Sequence, residues 1–336
     1  MSADFEFVDE RIHLPMGAWA RTERSLLRWR GRAVLGLTAG AWRPCLFPVY
    51  SPAGFLVTSE SPADHPHHGS LWLAADHVHA WVPVAGGSHE IYAYNFYVNE
   101  VFQGRAPGRI VQETVSGQAL DTQRFRITQT LRWQGPQEWG APDGRVVLRE
   151  HRVWTLEAGP RHHVLDVESS LTAQQWDVEI GPTRHAYFNV RVAEPMSVMS
   201  GGRLSGAGGL SGSSSLSGPA PHWVDASGPV GGGHWAGVAL GRVRISSCPQ
   251  EDMQVSCFAS DFGVVTLNPF RHQGLRLRAG ASLTCLARYV VHDGAADGSV
   301  LDALFAAAPE SPCEPQARWR AGGGSDDDND EGDGQR

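Results

Sequence analysis

Apolar and polar residues alternate with a period of two over much of the chain, the spacing of a strand with one buried face. From Arg124 to Trp133 the side chains of Phe125, Ile127, Leu131 and Trp133 fall on one face, interrupted only by Gln129, and Arg126, Thr128, Thr130 and Arg132 take the other. Comparable stretches recur in RVVLREHRVWTL, HHVLDVESSL, WDVEIGPTRHAYFNVRV, FGVVTLNPF and SLTCLARYVV, divided by turn signals such as Pro142-Asp143-Gly144 and Ala158-Gly159-Pro160. Helical periodicity is nearly absent. The clearest helix is Ser299 to Ala308 (SVLDALFAAA), rich in good helix formers and closed by Pro309. This pattern predicts an all-β fold, a large antiparallel β-sandwich with a short C-terminal helix and with binding groups on loops and on one concave sheet face.

At 336 residues the chain is longer than a typical single domain, but large β domains often fold as one unit. One domain is expected over residues 1–310. Within it, the Gly/Ser-rich stretch 199–233 reads as a long, partly mobile loop anchored by Trp223 and Trp235, either covering a pocket or simply connecting. Residues 311–336 read as a disordered acidic tail: its last eleven positions hold six carboxylates and one arginine, five of the eight net negative charges of the chain.

Composition narrows the function. Hydrophobic residues make up 41% and charged residues 19%, enough apolar material for a sizeable core. Without the tail the body is nearly neutral, so it lacks the electrostatic footprint of a nucleic-acid or anionic-lipid binder. All 28 basic residues are arginine, which excludes Schiff-base chemistry and a P-loop lysine. No G-x-S-x-G elbow supports a serine hydrolase. The acidic start and the lack of long apolar runs predict neither an export signal nor a membrane span, hence a cytoplasmic protein. The five scattered cysteines suit reduced, buried thiols better than a disulfide framework or a zinc knuckle.

The densest chemistry is Asp64-His65-Pro66-His67-His68-Gly69, followed by the apolar Leu71-Trp72-Leu73. Three imidazoles beside a carboxylate on a Pro/Gly turn suit proton transfer near neutral pH. His77-Val78-His79 puts two imidazoles on one strand face, with His89-Glu90 beyond. That spacing only loosely fits a metal site, so no metal and no cofactor are expected. In Thr183-Arg184-His185-Ala186-Tyr187-Phe188-Asn189, alternation sends His185, Tyr187 and Asn189 to one face, a row of hydrogen-bonding groups suited to a polyhydroxylated ligand. Asn268-Pro269-Phe270-Arg271-His272 ends an apolar strand and releases an amide, a guanidinium and an imidazole into a loop.

The segments RPCLFPVYSPAG (43–54), DHPHHG (64–69), GRIVQE (108–113), WVDASG (223–228), LNPF (267–270) and VVHDG (290–294), in that order, together resemble the bacterial PmoA family. Its label suggests a methane monooxygenase subunit, but a polar, strand-rich chain without membrane helices does not suit that activity. The stretch PTRHAYFNV is similar to the T-x-H-x-Y-F-N-L strand of aldose 1-epimerases, which implies a galactose-mutarotase-like supersandwich binding sugar on a concave face. By that resemblance His185 corresponds to an acid histidine and His68-Gly69 loosely to an L-H-G-G histidine. Asn268 stands where a catalytic glutamate is expected.

The expected function is a carbohydrate-active enzyme that uses histidine general acid/base chemistry on a sugar or keto-sugar derivative, in epimerisation or elimination. His185 would donate a proton and His67 or His68 accept one, with Asp64 orienting the base. His65, Arg184, Tyr187, Asn268, Arg271 and His272 would hold the small-molecule sugar. The rivals are a non-catalytic carbohydrate-binding module and a metal-dependent oxygenase ligated by His65, His67, His77 or His79.

Overall fold

The computed structural model describes residues 4–11, 23–246 and 253–307, and the acidic tail expected at 311–336 lies outside them. Strands dominate and build three sheets. The first has nine strands in the spatial order Phe5–Arg11, Glu23–Trp29, Arg32–Thr38, Cys45–Val49, Leu71–Ala75, Ala186–Arg191, Val264–Asn268, Ser256–Ala259 and Gly218–Pro219. The second runs Leu210–Ser211, Arg203–Gly206, Trp223–Gly231, His234–Ser246, Ser282–Asp293, His162–Thr172, Val146–Ala158, Arg124–Gln134 and Arg109–Ala119. A five-stranded sheet orders Leu275–Leu277, Asp177–Ile180, Val78–Pro83, His89–Asn95 and Ala106–Pro107, the last two being parallel. The expected all-β antiparallel sandwich is present.

The two large sheets face each other across one apolar core. Phe125 meets Phe5 and Phe7 of the opposite sheet, with ring centres 5.2 and 5.7 Å away, and Trp133 stacks on Tyr187 at 6.3 Å. Along Arg124–Gln134 the burial alternates strictly, and Gln129 is buried with its apolar neighbours. Its amide donates to Gln112 Oε1 at 2.6 Å and its carbonyl oxygen accepts from Trp154 Nε1 at 3.2 Å, which offsets the cost of burying an amide.

A buried ion pair joins the sheets through the core. Arg152 donates twice to Glu150, at 2.7 and 2.9 Å, and the same carboxylate accepts from Trp133 Nε1 and Ser169 Oγ, each at 2.7 Å. Ser169 Oγ lies 2.7 Å from the hydroxyl of Tyr187. Tyr187, expected on the ligand face, is therefore a core residue with no exposed surface: its hydroxyl has a partner inside, and its ring fills space between the sheets.

The stretch expected as a mobile loop at 199–233 is instead built into the sandwich as the strands Arg203–Gly206, Leu210–Ser211, Gly218–Pro219 and Trp223–Gly231. Leu204, Leu216, Trp223 and Val224 are its buried anchors. Its glycines serve close approach: a Cβ on Gly228 would stand 2.5 Å from Met196 Cα, and one on Gly206 2.5 Å from Leu216 Cδ2.

The C-terminal helix spans Gly298–Ala306. Asp297 caps it, accepting from the Ser299 and Val300 amides. Leu301 and Phe305 pack on Trp223, Ala239 and Val290, a burial worth about 1.5–3 kcal/mol per side chain. At its C-terminal end Arg288, held by Asp166 through two 2.7 Å bonds, donates to the carbonyls of Leu304 and Ala307. Cys45, Cys257 and Cys285 are buried thiols.

Candidate functional site

The site grows from one pair of neighbouring strands, Leu71–Ala75 and Ala186–Arg191, which run antiparallel with Asn189 opposite Trp72 and Ala186 opposite Ala75. Antiparallel pairing brings the start of one strand to the end of the other. The histidine turn that precedes Leu71 therefore meets Arg191, and Asp76, just after Ala75, meets His185. Backbone bonds close both ends, from the Arg191 amide to Ser70 O at 2.8 Å and from the Asp76 amide to His185 O at 3.2 Å.

At the first end Arg191 donates to both oxygens of Asp64, at 3.0 and 2.8 Å, and to His68 Nδ1 at 3.3 Å. Asp64 also lies 2.9 Å from His65 Nδ1. Burial works the other way, but the bonds from His65 and Arg191 hold the Asp64 carboxyl down at about 2. The expected role of Asp64 as the orienter of His67 or His68 is thus corrected: its partners are His65 and Arg191. His65 stacks on both His68 and Phe262, each ring centre 4.6 Å away, and His68 stacks on Trp72 at 5.1 Å. Burial, helped by the neighbouring imidazoles, lowers His68 to about 2. His68 is 4% exposed, so it serves as a neutral packing ring with one nitrogen occupied.

His67 differs. It is half-buried, and burial, with the Arg43 guanidinium next, lowers it to about 4, so it is neutral at pH 7. It lines a hollow of about 120 Å³ with Trp42, Arg43, Glu60 and Asn99, whose wall does not include His185. Arg43 ties this side together by donating to Phe96 O at 3.0 Å, His67 O at 2.7 Å and Asn99 Oδ1 at 2.7 Å. Burial lowers its guanidinium to about 10, which leaves it charged.

At the second end the Asp76 carboxylate is 1% exposed. One oxygen accepts from Thr183 Oγ1 and the other from His185 Nδ1 at 2.9 Å, with Arg105 Nη2 3.5 Å away. Burial alone would raise this carboxyl, but the bonds from His185 and Thr183 outweigh it and hold it below the usual carboxylate range. His185 keeps 26% of its side chain exposed, and its Nε2 lies 3.2 Å from Arg184 Nε. A carboxylate only accepts and a guanidinium only donates, so these neighbours fix the tautomer, with the proton on Nδ1 and the lone pair on Nε2.

The two ends are bridged by Tyr97. Asn95 turns the chain by accepting from the amides of Tyr97 and Val98, at 2.8 and 3.0 Å, and so carries Tyr97 over Trp72. The centre of the Tyr97 ring is 5.7 Å from that of His67 and 5.3 Å from that of His185, and Phe102 stands edge-on to His185 at 5.8 Å. His67 and His185 thus flank one aromatic ring from opposite ends of the strand pair.

Asn268 is buried and structural: its amide donates to Thr183 O at 2.7 Å and its carbonyl oxygen accepts from the Phe270 amide. It supports the turn that carries His185 instead of facing a ligand. Arg184 is exposed beside His185, and Arg271 and His272 are exposed in the turn after Asn268. Sequence reasoning missed Asp76, Tyr97, Arg43 and Arg191. Asp76 had one signal, a lone acid directly after the apolar LWLAA and before two alternate histidines. The rings of His77 and His79 are 6.1 Å apart. Among the described residues no three His, Cys, Asp or Glu side chains converge to hold a metal ion, so the ligand set of the oxygenase alternative is not assembled there. No helix among those residues is long and apolar enough to cross a membrane.

A model of a family of unknown function, DUF6807, matches residues 24–306. The chain belongs to this family. The PmoA label read from its motifs is not the one that this match carries. No curated protein matches its sequence. Among solved structures it is similar to the GH36 α-galactosidase AgaB from Geobacillus stearothermophilus, at 8% identity and a TM-score of 0.37 over 77% of this chain and 38% of that one. It is also similar to a putative aldose 1-epimerase from Escherichia coli K12, at 11% identity and a TM-score of 0.31 over 86% of this chain and 99% of that one. The chain thus spans well under half the length of the galactosidase.

Proposed function

We propose that this family member is a carbohydrate-active enzyme in which His185, held by Asp76, moves a proton on a sugar or keto-sugar derivative. The observation that carries the reading is the buried Asp76 carboxylate 2.9 Å from His185 Nδ1, with the rest of the imidazole partly open. In this tautomer Nε2 is a base. It takes a proton from carbon next to a carbonyl, and Asp76 stabilises the imidazolium that forms. Water then protonates the opposite face while the imidazolium gives its proton to solvent, giving epimerisation, or the imidazolium passes its proton to a leaving oxygen, giving elimination. Arg184, beside Nε2, moves onto the carbonyl oxygen and stabilises the enolate charge. Aromatic surface from Phe102 and polar groups from Arg184 and His67 suit a ligand with apolar ring faces and many hydroxyls. The expected donor role of His185 becomes acceptor first, donor second.

The test is a screen of aldoses, 3-keto sugars and uronates in D2O, following deuterium uptake at carbon and new products by NMR. Exchange that disappears in His185→Ala and falls strongly in Asp76→Asn supports the proposal. Exchange untouched by His185→Ala refutes it. Saccharide binding without exchange, unaffected by that substitution, favours a binding module.

A further inference from the structure

One residue belongs to two cavities. Trp42 walls the small hollow that holds His67, and it also walls a second hollow of about 400 Å³ on the strand ends Arg109–Ala119 and Arg124–Gln134. The backbone of Trp42 is pinned there by the Ile110 amide, which donates to Trp42 O at 2.7 Å. The Arg109 guanidinium lies over the indole, 5.4 Å from its centre. Around the rest of the second hollow stand Arg132, Gln134, Gln137 and Asp143, a mixture of donors and acceptors beside one aromatic wall. Arg132 is held in place by Gln134 Oε1 at 3.0 Å and Glu113 Oε1 at 3.2 Å.

On the carbohydrate reading above, we infer that the substrate has at least two sugar units, one beside His67 and the next in the hollow beyond Trp42, with the indole as the platform between them. An aromatic face with convergent polar side chains is what a hydroxyl-rich ring requires, and a volume of this size accommodates one. Trp42 lines both hollows, so a molecule that fills both meets it with adjacent units. Arg109 slides off the indole as the second ring arrives and donates to its oxygens.

The test is calorimetric titration of the full chain with glucose, galactose and galacturonate and with the two- and three-unit oligomers of each. In at least one series the two-unit sugar binds about tenfold or more tighter than the single unit. Trp42→Ala removes that increment, Trp42→Phe retains part of it, and His185→Ala keeps it whole. If Trp42→Ala does not fold, Arg109→Ala, at an exposed side chain, makes the same comparison and reduces the increment. Equal affinity for one and two units, or an equal loss for both in Trp42→Ala, overturns the inference. Turnover of single sugars without any length dependence overturns it while leaving the His185 proposal standing. No binding by any of these sugars overturns the inference and leaves the His185 proposal to the exchange screen.

Discussion

Replacing Asp76 with asparagine probes the site at its most buried charge. The substitution keeps the shape, and one amide oxygen can still accept from either Thr183 or His185, but the other donor then faces an NH2 group instead of an acceptor. A hydrogen bond to a charged group is worth about 1.5–3 kcal/mol, and since His185 is a quarter exposed the loss should be about 2 kcal/mol of folding stability. That is a large part of the 5–15 kcal/mol typical of a domain. The sign of the pH dependence follows from the depressed folded-state value of Asp76. Its stabilisation is complete above the unfolded-state value near 3.9 and disappears as the pH falls through the lower folded value. Urea unfolding followed by tryptophan fluorescence should therefore give a gap between wild type and Asp76→Asn that holds from pH 7 to pH 5. In turnover, the loss of the anion opposite a developing imidazolium should lower kcat by roughly 10²–10⁴ with little change in KM, because Asp76 is buried behind His185. A variant within threefold of wild-type kcat, or a stability gap below about 0.5 kcal/mol at pH 7, refutes this account of Asp76.

Arg191→Met should release the Asp64 carboxyl from about 2 towards the ordinary value near 3.9, read by carbon-detected NMR titration; an unmoved value would show that Arg191 does not hold it. His163, which burial lowers to about 4, is fully stabilising above pH 6.5 and loses about 1.4 kcal/mol per pH unit as the pH falls from there towards 4. His163→Phe should flatten that part of the stability curve, and an unchanged slope refutes the assignment. Glu150→Leu strands the Arg152 charge in the core and should cost about 3–5 kcal/mol in urea unfolding, whereas a cost under 1 kcal/mol would show that the pair is not buried as described. Gly228→Ala should cost about 1–3 kcal/mol by forcing Met196 away, and a neutral change refutes the close packing of the Gly-rich strands.

The strands were legible because burial on one face imposes a period of two, and Arg124–Gln134 carries that period even through Gln129. The same reasoning failed at Tyr187. Alternation says that side chains share a face, but not that the face looks outward, and in a strand with both sides covered the hydroxyl found Ser169 inside. The Gly-rich stretch misled because low apolar content suggests little to bury, whereas its glycines let strands pack closer than any side chain would permit. His67 and His185 were visible as residue types. The partnerships of Asp76 with His185 and of Arg191 with Asp64 were not, because they come from strand pairing over more than a hundred residues of sequence, which leaves no local spacing to read. Tyr97 likewise depends on the turn made by Asn95.

On the proposed function, Asp76 and His185 do chemistry on a saccharide at this end of the strand pair. A crystal structure of Asp76→Asn with a sugar found in the exchange screen tests it most directly. The expected result is a ring with a carbon or oxygen within hydrogen-bond range of His185 Nε2 and with Arg184 turned onto one of its oxygens. A sugar seated elsewhere with the Arg184 to His185 contact undisturbed, for instance in the hollow of about 470 Å³ lined by Phe55, Arg203 and Trp235, would contradict it.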